Sequence, residues 1–128
     1  MRKILSSLIA GAMFAGTASA AVAPEVRLDK LLAGRVAGQP VDCINSRDIR
    51  STQIIDKTAI VYQVGSKLYV NRPRIGANFL DRDDILVTRQ LGTAQLCRVD
   101  TVRLVDRIAL FPTGFVALGE FVPYTRVK

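Results

Sequence analysis

The sequence predicts a mainly β fold: a compact antiparallel sheet or small open barrel, with a short N-terminal helix against it. Three observations lead there. The stretch Ser51 to Val64 is dense in β-branched and apolar residues, the composition of paired strands. Val64-Gly65-Ser66-Lys67 reads as a tight hairpin, because glycine takes the positive φ that the first central position of a type II′ turn needs. The 128 residues are 49% apolar and 23% charged, which suits one globular domain and not a disordered chain.

The elements follow in order. Pro24 and Glu25 open a first helical turn, Leu28, Leu31 and Leu32 share one face, and Gly34 caps the end, so a helix is expected over about Glu25 to Ala33. Gly34, Gly38 and Pro40 then make a linker into Val41. Strands are expected at Ser51–Ile55 and Thr58–Val64, turning at Asp56-Lys57. The Gly65 turn sets Tyr62 opposite Tyr69 and Val61 opposite Val70. Pro73 stops that strand after Asn71, and Ile75 to Asp84 reads as a loop. Ile85–Arg89 is a further strand, followed by a turn at Leu91-Gly92-Thr93. Val102, Leu104, Ile108 and Leu110 alternate with Arg103 and Arg107, the mark of a strand with one dry face. Phe111-Pro112-Thr113-Gly114 suits a turn, and Phe115 to Val122 returns antiparallel. Six or seven strands are expected.

The first twenty residues read as an address. Met1-Arg2-Lys3 is cationic, Ile4 to Ala15 is apolar, and Ala18-Ser19-Ala20 supplies small side chains. This is the pattern of a Sec-type signal peptide cleaved after Ala20. The rival is a membrane anchor, since Ile4 to Pro24 carries no charge, but serines and glycines dilute that segment. No Cys stands at the cleavage point and no Arg pair precedes the apolar run, so neither a lipoprotein nor a twin-arginine signal is expected. The organisation is then residues 1–20 signal peptide, 21–40 short helix and linker, and 41–128 β domain. The processed protein would be periplasmic or secreted, with no transmembrane segment. Without Arg2 and Lys3, sixteen bases face eleven acids, a balance of +5 against +7 for the full chain.

Cys43 and Cys97 are the only cysteines. Outside the cytoplasm an even count reads as a bridge; free or intermolecular thiols and a catalytic thiol are the alternatives. The spacing is too long for a redox C-x-x-C, and two cysteines without histidine do not make an ordinary zinc site.

Catalytic and cofactor motifs are lacking. The chain has no His, which removes the commonest general base and metal ligand. No serine sits in a G-x-S-x-G elbow, and no phosphate-binding glycine loop is present. No catalytic residue, metal or cofactor is expected. Asp81-Arg82-Asp83-Asp84 is the densest acidic cluster, but EF-hand spacing fails there. Carboxylate pairs acting in a small hydrolase are the enzymatic alternative.

The basic side is more informative. Thirteen of the eighteen bases are arginine, which favours bidentate contact with carboxylate and phosphate. Arg47, Arg50, Arg72, Arg74, Arg103 and Arg107 are the candidate binding residues. The expected function is a non-enzymatic binding module for an anionic envelope or extracellular ligand, such as a phosphorylated lipid headgroup or acidic glycan. An envelope protein is the alternative partner, in an interaction or inhibitor role. Nucleic acid is not expected, because an exported protein seldom meets it.

A set of motifs carries a resemblance: Cys43-Ile44, Arg47-Asp48-Ile49, Ile55-Asp56, Tyr69-Val70-Asn71, Leu96-Cys97-Arg98-Val99-Asp100-Thr101-Val102 and Leu118-Gly119-Glu120-Phe121. In these the chain resembles a family of small exported proteins of Gram-negative bacteria that carries only a domain-of-unknown-function label. The similarity spans about Leu28 to Tyr124. Family members often carry additional cysteines after the Asn and near the end, where this chain has none. The resemblance implies export and brings no activity or functional residues.

Overall fold

A computed structural model describes residues 22–90 and 92–127, together with Gly11. Apart from Gly11, the expected signal peptide, with its cleavage site at Ala20, lies outside the described residues. Among the described residues the fold is mainly β, with ten strands in antiparallel sheets, one short α-helix and no closed barrel.

The helix α1 runs Pro24–Leu31, with Pro at its first turn and Glu25 beside it. The strands are β1 Arg35–Ala37, β2 Cys43–Asn45, β3 Ile49–Ile55, β4 Ala59–Val64 and β5 Lys67–Asn71, then β6 Asp84–Thr88, β7 Gln95–Cys97, β8 Thr101–Asp106, β9 Pro112–Ala117 and β10 Phe121–Arg126. They form a five-stranded sheet in the order β1-β10-β5-β4-β3, a three-stranded sheet β6-β8-β9, and a two-stranded ribbon β2-β7.

The β4–β5 hairpin has the expected register, with Tyr62 opposite Tyr69 and Val61 opposite Val70. Gly65 sits at φ +60 between the strands, while Ser66 stays outside the positive-φ region, as a type II′ turn requires. Ala59 to Tyr62 are all buried because both faces of this sheet are covered. On one face Leu28 of α1 packs with Ile55, Ala59, Val61, Leu68 and Val70. On the other, Ile54, Ile60, Tyr62 and Phe121 meet Ile44, Leu96, Val102, Leu104, Val116 and Leu118. A bidentate Arg72–Glu25 pair, at 2.9 and 3.2 Å, ties the helix to the end of β5.

Cys43 and Cys97 form the disulfide. They stand directly opposite one another in the three-pair β2–β7 ribbon, with Cα atoms 4.0 Å apart. The Arg98 N–H donates to the Asp42 carbonyl at 2.8 Å, so the adjacent Cys43–Cys97 pair falls at a non-hydrogen-bonded position, where Cα atoms approach most closely. The Cys97 N–H thus freed donates to the Asp100 carboxylate at 2.7 Å.

Asn71 is fully buried in the row Ile60–Asn71–Phe121. Its Nδ2 donates to the Gly119 carbonyl at 2.8 Å and its Oδ1 accepts from the Gly119 N–H at 2.9 Å. Gly119 is required there, because a Cβ would run into the Arg72 carbonyl oxygen.

Four expectations differ from this structure. The linker after Gly34 contains a strand, β1, paired with β10. The dry face assigned to Val102, Leu104, Ile108 and Leu110 stops at Leu104: β8 ends at Asp106, and Ile108 and Leu110 are 94% and 69% exposed. Asp106 ends it by accepting the Ile108 and Ala109 N–H groups on its carboxylate, at 2.9 and 2.6 Å. The hairpin turn therefore lies before Phe111, and Pro112–Ala117 is strand. Pro112 is tolerated because it opens an edge strand beside a bulge. Lastly, the chain after Ala117 breaks at Leu118–Glu120 and crosses to the five-stranded sheet as β10, so ten strands replace the expected six or seven.

Tyr62 is the one buried side chain among the described residues whose hydroxyl has no partner. Its ring packs 5.8 Å from that of Phe121. Burial pushes the phenol well above its ordinary pKa. A buried hydroxyl without a partner costs about 1–3 kcal/mol, so Tyr62→Phe is expected to raise stability by about 1 kcal/mol in urea unfolding. The same variant should lose an alkaline slope. With the folded pKa raised, the contribution is full below the unfolded value near about 10 and is lost as pH rises above it.

Candidate functional site

The six arginines expected to bind fall into four settings, and much of the division follows from which are already occupied. Arg72 is held by Glu25, whose carboxyl that hydrogen bond keeps below its usual range. Arg74 donates through Nε to the Leu118 carbonyl at 2.7 Å and through Nη2 to the Arg98 carbonyl at 3.3 Å. Both of these arginines fasten the end of β5 to its neighbours. Arg98 is engaged too, with Asp42 at 3.4 Å and Glu120 at 3.7 Å.

Arg47 and Arg50 flank Asp48 around the 3-10 turn Ser46–Asp48 and the start of β3. With Ile49, Val64 and Gly65 they line an open hollow of about 480 Å³. The Asn45 side chain caps this turn by accepting the Arg47 N–H at 3.0 Å.

Arg103 and Arg107 belong to the β8–β9 hairpin. Arg107 donates through Nε to the Asp83 carbonyl at 3.2 Å. With Arg27 and Arg82 it lines a cleft of about 560 Å³ between β3 and β6, the neighbouring edges of the two larger sheets. Charges are mixed there. Asp83 and Asp84 share the lining, Arg27 stands 3.9 Å from Asp56, and Asp84 accepts from the Thr113 hydroxyl at 2.8 Å.

Arg103 occupies a different setting. On the outer face of the three-stranded sheet it pairs across strands with Val87 on one side and Phe115 on the other. Together with Thr88, Arg89 and Thr101 these residues line a hollow of about 510 Å³. Among the described residues no carboxylate lines it. Neither Arg89 nor Arg103 makes a side-chain hydrogen bond or ion pair among the described residues. Val87 and Phe115 are 45% and 51% exposed, so two cations stand beside uncovered apolar surface. Arg89 and the apolar neighbours were not singled out from sequence. The signal that could have found them is the outward alternation Val87, Arg89 and Thr101, Arg103 on adjacent strands.

Among the described residues no three His, Cys, Asp or Glu side chains come together in a way that could hold a metal ion. No helix among them is long and apolar enough to cross a membrane. The sequence matches no protein-family model, and neither a curated protein nor a solved structure is similar to it at a significant level.

Proposed function

We propose that this protein is an exported, non-enzymatic binding module for an anionic amphiphile of the cell envelope. The observation that carries the reading is the Arg89–Arg103 hollow: among the described residues its two guanidiniums have no partner and its lining no carboxylate, and Phe115 and Val87 stand beside them. Arginine recognises phosphate or carboxylate through paired N–H groups, and the exposed phenyl ring suits the adjoining hydrocarbon. Export after cleavage at Ala20, into the periplasm or the medium, belongs to the same proposal and is supported by the Cys43–Cys97 disulfide. So does kinship with the exported Gram-negative family. The residues that carry that resemblance include Asn71, Cys97, Asp100 and Gly119, all engaged in holding the fold. An acid–base enzyme is disfavoured: Glu25, whose carboxyl is perturbed, is pushed down by Arg72, which is the wrong direction for a proton donor at neutral pH.

The test is sedimentation with lipid vesicles. Binding is expected to phosphatidylglycerol-containing vesicles, to weaken with salt, and to be weak with phosphatidylcholine alone. At about 1 kcal/mol per basic side chain near an anionic surface, Arg89→Gln with Arg103→Gln should reduce affinity about 30-fold. Arg72→Gln should leave it unchanged. Equal binding to both vesicle types, or no effect of the double variant, would sink the proposal.

A further inference from the structure

We propose that the β8–β9 turn, Ile108 to Phe111, is a membrane-insertion wedge that seats the protein in an anionic phospholipid bilayer. The inference rests on the amphiphile-binding reading and specifies its physical form: a bilayer and not a free anion.

The turn places three large apolar side chains in water. Ile108 is 94%, Leu110 69% and Phe111 58% exposed. Single exposed apolar residues are ordinary, but a cluster at a projecting tip marks an interaction site. The turn geometry does not call for them. Leu110 sits at φ +59, in the left-handed region where a leucine is strained and Gly or Asn would relax. A bulky apolar residue held there against its backbone preference points to a role for the side chain outside the fold.

Three of the four backbone N–H groups from Ile108 to Phe111 already have partners within the turn. The Ile108 and Ala109 N–H groups both donate to the Asp106 carboxylate, and the Leu110 N–H donates to the Asp106 carbonyl at 2.9 Å. The Asp106 N–H closes the turn on the Phe111 carbonyl at 3.0 Å. Unpaired backbone groups are what makes irregular chain costly in hydrocarbon, and pairing of the Ile108, Ala109 and Leu110 N–H groups lowers that cost for a shallow insertion into the headgroup boundary. Asp106 directs its carboxylate into the turn, and Asp84 is bound by the Thr113 hydroxyl. Arg107 at the base of the tip, its Nε on the Asp83 carbonyl and Asp83 beside it, and Arg103 farther along the same hairpin are the cations nearest in sequence to the tip, and they supply the attraction to lipid phosphates. A convex tip of this kind suits a fluid layer, whereas a protein partner would need a matching pocket.

The chain contains no Trp, so Ile108→Trp and Phe111→Trp each provide a single reporter at the tip. With vesicles of phosphatidylethanolamine and phosphatidylglycerol, both should shift to the blue and be quenched by bromine-labelled acyl chains. Ile108→Ser with Leu110→Ser should lower vesicle affinity about tenfold with urea unfolding unchanged, since neither side chain is buried. Four outcomes would overturn the wedge. Vesicle binding with an unshifted tip reporter places the tip in water and leaves the Arg89–Arg103 reading standing. Failure to sediment while monomeric dihexanoyl phosphatidic acid still binds removes the bilayer but keeps the anion site. Loss of both removes the underlying reading as well. A shift that grows with protein concentration without lipid makes a second copy the occupant.

Discussion

Replacing Cys43 and Cys97 together by alanine is expected to lower the unfolding free energy by about 4 kcal/mol, read from urea titrations with and without reductant. The disulfide closes a separation of 54 residues, long enough for the chain-entropy effect to be large. Its local setting increases the dependence. The β2–β7 ribbon is three residue pairs long, shorter than an independently stable hairpin. Yet it carries Ile44 and Leu96, both buried in the main core. Losing the crosslink loosens the ribbon and lets water reach them. Reductant should bring the parent protein to the same stability and leave the double variant unaffected. A loss below about 1 kcal/mol would mean that the ribbon is held by its packing alone.

Asn71→Leu is the second large effect, an expected loss of about 4 kcal/mol in the same titration. The side chain is close in size, but the substitution strands the Gly119 N–H and carbonyl, each costing about 1–3 kcal/mol when buried without a partner. Asn71→Asp separates hydrogen bonding from shape. A protonated carboxyl can both accept from the Gly119 N–H and donate to its carbonyl, whereas a buried carboxylate can only accept. Burial raises the carboxyl's folded pKa above its unfolded value. Its contribution is therefore present below about pH 4 and lost as pH rises through the folded pKa. The Asp variant should be less impaired, relative to the parent protein, in acid than at neutral pH. A penalty independent of pH would show that the Asn71–Gly119 pair matters only for its shape.

Sequence and structure agree where local signals are strong and unopposed. The helix start at Pro24 and Glu25 needs only local chemistry, and so does the Gly65 hairpin, whose turn length sets the pairing of Tyr62 with Tyr69. The short strands β1, β2 and β7 have no legible pattern, because three residues cannot establish an alternation. They exist through distant partners, Arg35–Ala37 against β10 and Cys43 against Cys97. At Ile108 sequence and structure differ for the opposite reason. Apolar residues at alternating positions imply burial, and only the Asp106 carboxylate, a side chain closing its own turn, shows that the strand has ended.

The candidate site divides similarly. An excess of arginine is visible in the composition, but composition does not separate arginines that bind their own chain from those that face outward. Arg72 and Arg74 hold Glu25 and the Leu118 carbonyl, contacts across long separations. Arg103 has no partner among the described residues because its cross-strand neighbours are Val87 and Phe115, a register set by the whole sheet.

The pairing of β1 with β10 orders events in time. Arg35 lies opposite Arg126, and the Val127 N–H closes on the Gly34 carbonyl at 3.0 Å. Strand β1 cannot find its neighbour until β10, separated from it along the chain by all the other described strands, has been made. Such remote closure slows folding. The edge that β1 closes is therefore the part of this sheet that sets late, after the local β3–β4–β5 pairings are in place.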